Sequence, residues 1–500
     1  MFALSLIHFL SLVFLLFYLF YLLQLLLTST STKTTKNGHQ SYPFIGCFMS
    51  FHQNRHRLIH WFTELLSNSP SQTIVLARFG GRKNQMIVTA NPENIEHILK
   101  TRFENYPKGK PFTDLLGDFL GIGIFNVDGD LWSTQRKLAS HEFSAKSLRE
   151  FVVSVLEDEV TKRLIPLLEN AVRDNEVVDM QDVLRRLAFD TICKISLGWD
   201  PCCLDYTRAV PPLVTAFDTA AGASAMRGTA SASWVWKVKR LLNVGRERQL
   251  KEAVGVVHRA VDEIIRARRE HMDGSDNKKD LLSRFISSGH SDDLMRDMVI
   301  SFLMAGRDTT SAAMTWLFWL LTRHPSIEKD VLKDVTFHDK LTFEDLKKMD
   351  FLKACLCESM RLYPPVVWDS KHAAEADVLP DGTAVYKGNR VMYFPYGMGR
   401  METLWGKDCL EFRPDRWFSE PGEFKMESPY KFPVFQGGPR VCLGKEMAFT
   451  QMKYVMASVL SRFELVPVSL EEPVFVPLLT AHMDGGFKVR VRSRRGFCEP

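Results

Sequence analysis

The stretch Phe435-Gln436-Gly437-Gly438-Pro439-Arg440-Val441-Cys442-Leu443-Gly444 sets one cysteine in a glycine-punctuated loop with one cation. Gly438 and Gly444 let the backbone turn tightly and lie close to a flat group. The amides of such a loop can point at the Cys442 sulfur and temper its charge. Arg440 can bind a carboxylate through a charge-assisted hydrogen bond. A lone cysteine is usually a small buried hydrophobe, but this frame favours a thiolate that ligates a metal.

The composition of the 500-residue chain predicts a globular body with a large core, since 45% of the residues are hydrophobic and 25% are charged. Length alone would suggest three domains. No linker-like segment interrupts the chain from Pro43 onward, so we expect one domain over residues 43–500. The formal charge of +5 is too small and too dispersed to indicate a nucleic-acid partner. Nine cysteines without a paired framework indicate free thiols in a reducing compartment.

The N-terminus predicts a membrane anchor. The segment Phe2 to Leu27 is almost wholly apolar, and its roughly 26 residues can cross a bilayer core of about 30 Å. No cleavage pattern follows it, so residues 1–27 are expected to remain as a transmembrane helix. Lys33 and Lys36 follow the apolar run, which predicts a cytosolic body. Residues 28–42 are rich in Ser, Thr and Lys and are interpreted as a flexible tether.

A long helix is predicted from Asp293 to Arg323, and its roughly 31 residues would span about 46 Å. At its middle, Ala305 and the following glycine leave room for a flat cofactor and a diatomic ligand. The Thr309 hydroxyl can donate a hydrogen bond to the Ala305 carbonyl and loosen the helix locally. Asp308 supplies an acid from which protons could be relayed. Together with Cys442, this segment indicates oxygen activation at iron.

Two further pairs of charged or aromatic residues share a helix face. Glu358 and Arg361 are three residues apart in an apolar segment, so they need buried partners, and Arg416 is the candidate third member of a structural lock. Trp132 and Arg136 are four residues apart. Their indole N–H and guanidinium would offer two donors to one anionic group.

These four motifs and their order along the chain resemble those of the cytochrome P450 family. The resemblance covers the body from Pro43 to the C-terminus. It implies a mainly α, triangular helical fold with small marginal β-sheets. We expect strands in stretches such as residues 73–77, 86–89 and 486–491. It also implies one haem b with Cys442 as axial thiolate, a ligand that favours O–O cleavage. Electrons would come from NADPH through a flavoprotein reductase, the NADPH–cytochrome P450 reductase of the endoplasmic-reticulum membrane.

The resemblance also assigns cofactor-binding residues. Phe435, Arg440 and Gly444 belong to the cysteine signature, and Trp132 and Arg136 would bind the haem propionates. Lys371 falls where the family commonly places another propionate-binding base, with the neighbouring His372 as an alternative.

A narrower resemblance concerns the substrate. Residues 394–406 and 368–382 resemble segments of plant fatty-acid omega-hydroxylases. Residues 363–372 look most like the branch that hydroxylates jasmonoyl-isoleucine at carbon 12. Asp415 replaces the commoner glutamate of the Pro-Glu-Arg segment, which keeps the charge. The implied reaction is hydroxylation of a terminal carbon far from a carboxylate, which requires positioning of the chain end.

The predicted substrate pocket draws on four parts of the chain, and each of its members could equally be ordinary core. The candidates are Phe112, Leu115, Leu116, Phe125, Ala305, Val366, Val367, Trp368, Leu478, Leu479 and Thr480.

Three alternative functions stay open on the sequence alone. The first is a general fatty-acid omega-hydroxylase. The second is a haem enzyme that rearranges hydroperoxides without oxygen or NADPH, although the intact pair Asp308 and Thr309 argues against it. The third is a haem-binding sensor without turnover.

Overall fold

The structure is a computed structural model that describes residues 11–15, 17–19, 21, 46–77, 85–228, 233–270, 280–287, 289–335, 340–420 and 422–494. Of the predicted anchor, residues 11–15, 17–19 and 21 are helical. The rest of the anchor and the predicted tether at 28–42 lie outside the described residues. Within the described part of the chain, no helix has both the length and the apolar character to cross a bilayer.

Helices make up most of the described chain, as predicted. The α-helices are Phe48–Gln53, Leu58–Ser67, Pro92–Glu96, Lys110–Leu120, Gly129–Ser144, Lys146–Glu159, Ile165–Asp174, Met180–Leu197, Pro212–Gly228, Ser233–Leu241, Arg246–Glu270, Leu281–Ser287, Asp292–Arg323, Pro325–Asp334, Phe343–Lys348, Asp350–Leu362, Pro395–Met398, Glu402–Trp405 and Lys445–Arg462. Short π-helical or 3₁₀ turns are His97–Thr101, Val160–Leu164, Phe103–Asn105, Pro414–Trp417, Pro433–Phe435 and Gly438–Arg440.

The β-structure is small and marginal, again as predicted. One sheet has the strand order Thr73–Ala77, Gln85–Thr89, Arg390–Tyr393, Asp369–His372. A second has the order Phe463–Pro467, Lys488–Ser493, Val177–Asp179. Three two-stranded ribbons are Phe475–Val476 with His482–Met483, Asp377–Val378 with Ala384–Val385, and Phe418–Glu420 with Glu423–Phe424. The strand expected at 486–491 is found at Lys488–Ser493, two residues later. Gly485 and Gly486, which precede it, have φ angles in the left-handed region.

The helix Asp292–Arg323, here called the central helix, begins one residue earlier than predicted. Asp292 and Asp293 lie in its first turn, where carboxylates interact favourably with the helix dipole. Pro325 follows its end, as expected for a residue that cannot continue a helix. The side chains of residues 310–321 are all buried, because the central helix packs against Met180–Leu197 and against several other helices, among them Asp350–Leu362 and Lys445–Arg462. It therefore forms the middle of the larger hydrophobic core.

Candidate active site

A cavity of about 510 Å³ lies beside the central helix, between the Cys442 loop and the strand Asp369–His372. Its lining is mostly aliphatic and aromatic, and it includes Cys442, Ala305 and Thr309. Ligand pockets usually combine such a lining with a few placed polar groups, at volumes of roughly 300–1,000 Å³. The motif residues at 305, 309 and 442 therefore share one cavity.

The Cys442 loop is held tightly by its backbone. The Cys442 amide donates a hydrogen bond of 2.8 Å to the Phe435 carbonyl. Gly438 has φ +64°, and a Cβ there would lie 1.9 Å from the Leu99 carbonyl oxygen. Only glycine fits this position, as predicted. Gly444 caps the helix Lys445–Arg462 and has no comparably close neighbour.

The surroundings of Cys442 shift the pKa of its thiol in opposite directions. Burial raises the pKa of its thiol, while a hydrogen bond from the Gly444 amide and the charges of Arg136 and Lys445 lower it. A bound metal ion deprotonates a coordinating thiol outright. All the cysteines that the structure describes are free. Cys442 lies inside the protein, and its accessible surface opens onto the cavity.

The central helix supplies a wall of small and hydroxylated residues. The Thr309 hydroxyl donates a hydrogen bond of 2.7 Å to the Ala305 carbonyl, as predicted. The helix stays continuous from Asp292 to Arg323. A Cβ at Gly306 would lie 2.6 Å from the Ile192 side chain. The small residue at 306 therefore serves helix packing as well as cavity space.

Asp308 lies outside the cavity lining. Its carboxylate is 3.9 Å from the Arg185 guanidinium and 3.7 Å from that of Arg307. Consecutive residues of a helix point about 100° apart, which separates Asp308 from Thr309. The predicted proton relay through Asp308 therefore needs side-chain motion or water to reach the cavity.

The predicted pair Trp132 and Arg136 lines the cavity. Arg136 makes no hydrogen bond or ion pair with another described residue, and burial lowers its pKa. Arg440 also lines the cavity, and its Nη2 donates to the Asp128 carboxylate at 2.6 Å and to a backbone carbonyl. Its guanidinium lies 4.5 Å from the centre of the Trp132 ring. The carboxylate bound by Arg440 is thus one from the chain itself.

Lys371 rather than His372 faces the cavity. Lys371 is buried, which lowers its pKa to about 7, and its Nζ lies 2.9 Å from the Asp369 carboxylate. The same carboxylate binds Lys108 at 3.0 Å and accepts a hydrogen bond from the Tyr393 hydroxyl at 2.9 Å. His372 lies on the other side of the strand, with its Nδ1 2.7 Å from the Lys108 carbonyl.

Lys108, Arg136, Lys371 and Arg440, here called the edge cluster, are four basic side chains. The carboxylates that contact them within the described chain are those of Asp128 and Asp369. The basic groups that line the cavity therefore outnumber the carboxylates that contact them. A haem carries two propionates, and it also needs a thiolate and an apolar slot, which Cys442 and the cavity provide. The residues present fit this cofactor.

The predicted lock is present in full. Glu358 and Arg361 are completely buried and form a bidentate pair with two contacts of 2.8 Å. The Arg416 Nε donates to Glu358 at 2.8 Å, and the Trp417 indole donates to the same carboxylate at 3.0 Å. Arg361 also donates to the carbonyls of residues 399, 409 and 411. This saturated network holds the segment 399–417 against the helix Asp350–Leu362.

Most predicted pocket residues line the cavity. Val367 does not: it is buried in the second hydrophobic core. The members that do line the cavity are Phe112, Leu115, Leu116, Phe125, Ala305, Val366, Trp368, Leu478, Leu479 and Thr480.

Sequence reasoning missed three charged residues of the site. Lys108 and Asp369 meet through the fold although 261 positions separate them, and no short motif carries that contact. Arg390 also lines the cavity. A basic residue opening the strand Arg390–Tyr393 was the available signal, since the rest of that strand is apolar.

Comparison with known proteins agrees with the site. Residues 37–481 match the family described as Cytochrome P450. Cytochrome P450 94B1 and Cytochrome P450 94B3, both from Arabidopsis thaliana, are 62% and 61% identical; the alignments cover 91% and 93% of this chain and 91% and 94% of those proteins. Cytochrome P450 94A1 from Vicia sativa is 45% identical over 91% of this chain and 90% of its own. The crystal structure of cytochrome P450DA heme domain has a TM-score of 0.74 at 22% identity, covering 87% of this chain and 93% of that one, and so shares the fold.

Proposed function

Because the chain belongs to the cytochrome P450 family and is a monooxygenase of that family, we propose that it hydroxylates jasmonoyl-L-isoleucine at carbon 12. The family uses haem b with a cysteine thiolate and electrons from NADPH through a reductase. High identity to relatives in the 94 group fits omega-hydroxylation of a carboxylated lipid. The observation that carries the proposal is a mainly apolar cavity that joins Cys442 to a few basic groups.

In the proposed mechanism, the bound haem supplies oxygen activation, and the chain holds and isolates the reacting groups. Cys442 would hold the haem through its sulfur, and the Gly444 amide and Arg136 would stabilise the negative charge of that sulfur. The edge cluster would hold the propionates through charge-assisted hydrogen bonds. The apolar walls would exclude water and hold the terminal carbon of the lipid near the cofactor, which is catalysis by positioning.

Proton supply is the proposed task of Thr309 and Asp308. The Thr309 hydroxyl faces the cavity while its proton is held by the Ala305 carbonyl. Rotation about its Cα–Cβ bond would free that hydroxyl to donate its proton into the cavity. Asp308, between Arg185 and Arg307, would then return protons from the outer side of the central helix.

The test is turnover by the full chain with NADPH–cytochrome P450 reductase and NADPH. Jasmonoyl-isoleucine and free long-chain fatty acids are supplied separately, and products are quantified by mass spectrometry. We expect the 12-hydroxy conjugate as the preferred product. Preference for free fatty acids would replace the proposal with a general omega-hydroxylase. Product formation without NADPH would indicate a hydroperoxide-rearranging enzyme instead.

We also propose a single-pass anchor at residues 1–27 in the endoplasmic-reticulum membrane, with the catalytic body in the cytosol. The support is the apolar run from Phe2 to Leu27 and the basic residues after it. Protease protection of sealed microsomes tests this topology. The body should be digested without detergent, and a body protected until detergent is added would contradict the proposal.

A further inference from the structure

Two arginines and two aspartates meet beside the central helix, outside the cavity lining. Arg307 and Asp308 belong to the central helix, while Arg185 and Asp218 come from two neighbouring helices. None of these four residues lines the cavity. His482 lies close by, but burial and the charge of Arg185 lower its pKa, so it is mostly neutral at pH 7. The charges of the group are therefore those of two guanidinium groups and two carboxylates.

Asp218 binds the two guanidinium groups more closely than Asp308 does. One oxygen of Asp218 accepts a hydrogen bond of 3.0 Å from the Arg185 Nη2 and another from the Arg307 Nη1. The Asp308 carboxylate lies 3.9 Å from the Arg185 Nε and 3.7 Å from the Arg307 Nε. Both distances exceed the length of a hydrogen bond. Asp308 is therefore close to two cations without being hydrogen-bonded to either of them.

Arg307 has a donor that is not used. Its side chain is buried, and its Nε donates to no acceptor that the structure describes. The Arg307 atom that lies 3.7 Å from Asp308 is this same Nε. Leaving a buried donor without a partner is costly, so a small shift that brings the two side chains together would be favourable. The hydrogen bond from the Arg307 Nη1 to Asp218 opposes that shift, because it holds the guanidinium group in place.

We propose that Asp218 is a positioning residue, which holds Arg185 and Arg307 so that Asp308 stays free to supply protons. The inference rests on the proposed function, which gives Asp308 that task. The Asp308 side chain is 23% exposed, so it can take up a proton from solvent. It must then release that proton toward the cavity, and it is neutral in between. A hydrogen bond from a guanidinium group would favour the ionised carboxylate and would hold the side chain outside the cavity.

The first test combines Asp218→Ala with Asp308→Asn in a double-mutant cycle. Turnover of a lipid acid that wild type converts is measured with reductase and NADPH, in H₂O and in D₂O. Asp218→Ala should lower the turnover rate roughly 10-fold, as for a new hydrogen bond to a charged group, and should raise the solvent isotope effect. In the Asp308→Asn background the same substitution should change neither quantity. The control Glu252→Ala breaks an exposed pair with Arg248 and should match wild type.

The second test does not depend on turnover. Urea unfolding of the same four full-length proteins gives the cost of Asp308→Asn with and without Asp218. That cost should be larger in the Asp218→Ala background, because the released guanidinium groups then bind Asp308. Equal costs in the two backgrounds would overturn the inference, and so would equal slowing of turnover by Asp218→Ala in both. Should Asp218→Ala not fold, Asp218→Asn keeps the shape without the charge and should change both measurements in the same direction.

The two tests also separate the inference from the proposed function. If Asp308→Asn turns over like wild type, Asp308 has no task in proton supply, and the inference fails while the proposed substrate stands. If wild type converts no lipid acid, the proposed function fails. The unfolding cycle then still decides whether Asp218 keeps the guanidinium groups from Asp308, and equal costs would refute it.

Discussion

Two clusters of basic residues in this molecule bind carboxylates, but one has its partners within the chain and the other lines the cavity. In the lock, the guanidinium groups of Arg361 and Arg416 share the Glu358 carboxylate and bind several backbone carbonyls, and Arg416 also contacts Asp408 at 3.4 Å. Arg361 and Glu358 are closed to solvent. In the edge cluster, Arg136 binds no described residue, and Lys108 and Lys371 share one carboxylate. The lock has satisfied its donors within the chain. The edge cluster has not.

This difference separates a structural network from a binding site. A buried charge is tolerated when the chain itself supplies its partners, and removing one partner is then costly. When a charged group beside a cavity lacks a partner within the chain, a bound ligand is expected to supply that partner. Substitutions in the two clusters should therefore affect different measurements: unfolding for the lock, and cofactor retention for the edge cluster.

The largest effect is expected for Glu358→Gln. Glu358 accepts hydrogen bonds from Arg361, Arg416 and Trp417 and from the Arg413 amide. Losing its charge leaves the buried Arg361 guanidinium without a carboxylate and leaves Arg416 with only its longer contact to Asp408, so the free energy of unfolding should fall by about 3–5 kcal/mol. Urea unfolding measures this.

Glu375→Gln is the matched control for the lock, since it breaks an exposed pair with Lys387. Its effect should stay below about 1 kcal/mol. Equal effects of the two substitutions would contradict the structural role of Glu358.

The next largest effect is expected for Arg136→Gln. The substitution removes an unpaired cation from the cavity wall, so haem affinity should fall by roughly 10-fold or more, as for a lost charged hydrogen bond. Haem transfer to apomyoglobin measures the loss. Lys137→Gln, one position along the same helix and exposed, should retain haem like wild type. A drop in stability of the haem-free protein would place Arg136 with the lock instead.

A smaller effect is expected at Thr309, an uncharged residue of the cavity wall. Thr309→Ala removes the cavity hydroxyl, so we expect product formed per NADPH consumed to fall by about an order of magnitude, a modest value for a positioned proton donor. Thr309→Ser keeps the hydroxyl and should restore coupling. Full coupling in Thr309→Ala would remove this residue from proton supply.

The smallest effect tests a buried cation that belongs to neither cluster. Lys453 donates to the Leu346 carbonyl, and burial lowers its pKa to about 8. Below pH 8 the folded protein carries this charge at a desolvation cost, whereas between pH 8 and about 10.4 the unfolded chain binds the extra proton. Lys453→Met should therefore stabilise the fold modestly at neutral pH. That gain should shrink as pH rises above 8, and a gain that grows instead would contradict the assignment.

Local patterns predicted the features that depend on neighbours in sequence. The central helix was found to within one residue, and the hydrogen bond from Thr309 to Ala305 follows from helical spacing. The partnership of Glu358 with Arg361 also follows from spacing, and Arg416 came from resemblance to the family. The glycines of the Cys442 loop predicted its tight turn, and at Gly438 only glycine fits.

The features that were missed depend on direction or on distant contacts. Asp308 turns away from the cavity because adjacent helical residues diverge. Val367 is buried in the second hydrophobic core, between two residues that line the cavity. Asp369 binds Lys108, which lies 261 positions earlier in the sequence. Arg390 gains its position from sheet register. None of these is encoded by a short motif, since each arises only when the sheet and helices assemble.

The edge cluster would hold the propionates of a haem, and Cys442 would bind its iron. The absorption spectrum of the reduced, carbon-monoxide-bound protein tests this ligation. We expect a Soret band at about 450 nm, the signature of thiolate ligation, and its loss in Cys442→Ser. Folded, haem-loaded protein without that band, or a Cys442→Ser variant that keeps it, would show that Cys442 is not the ligand.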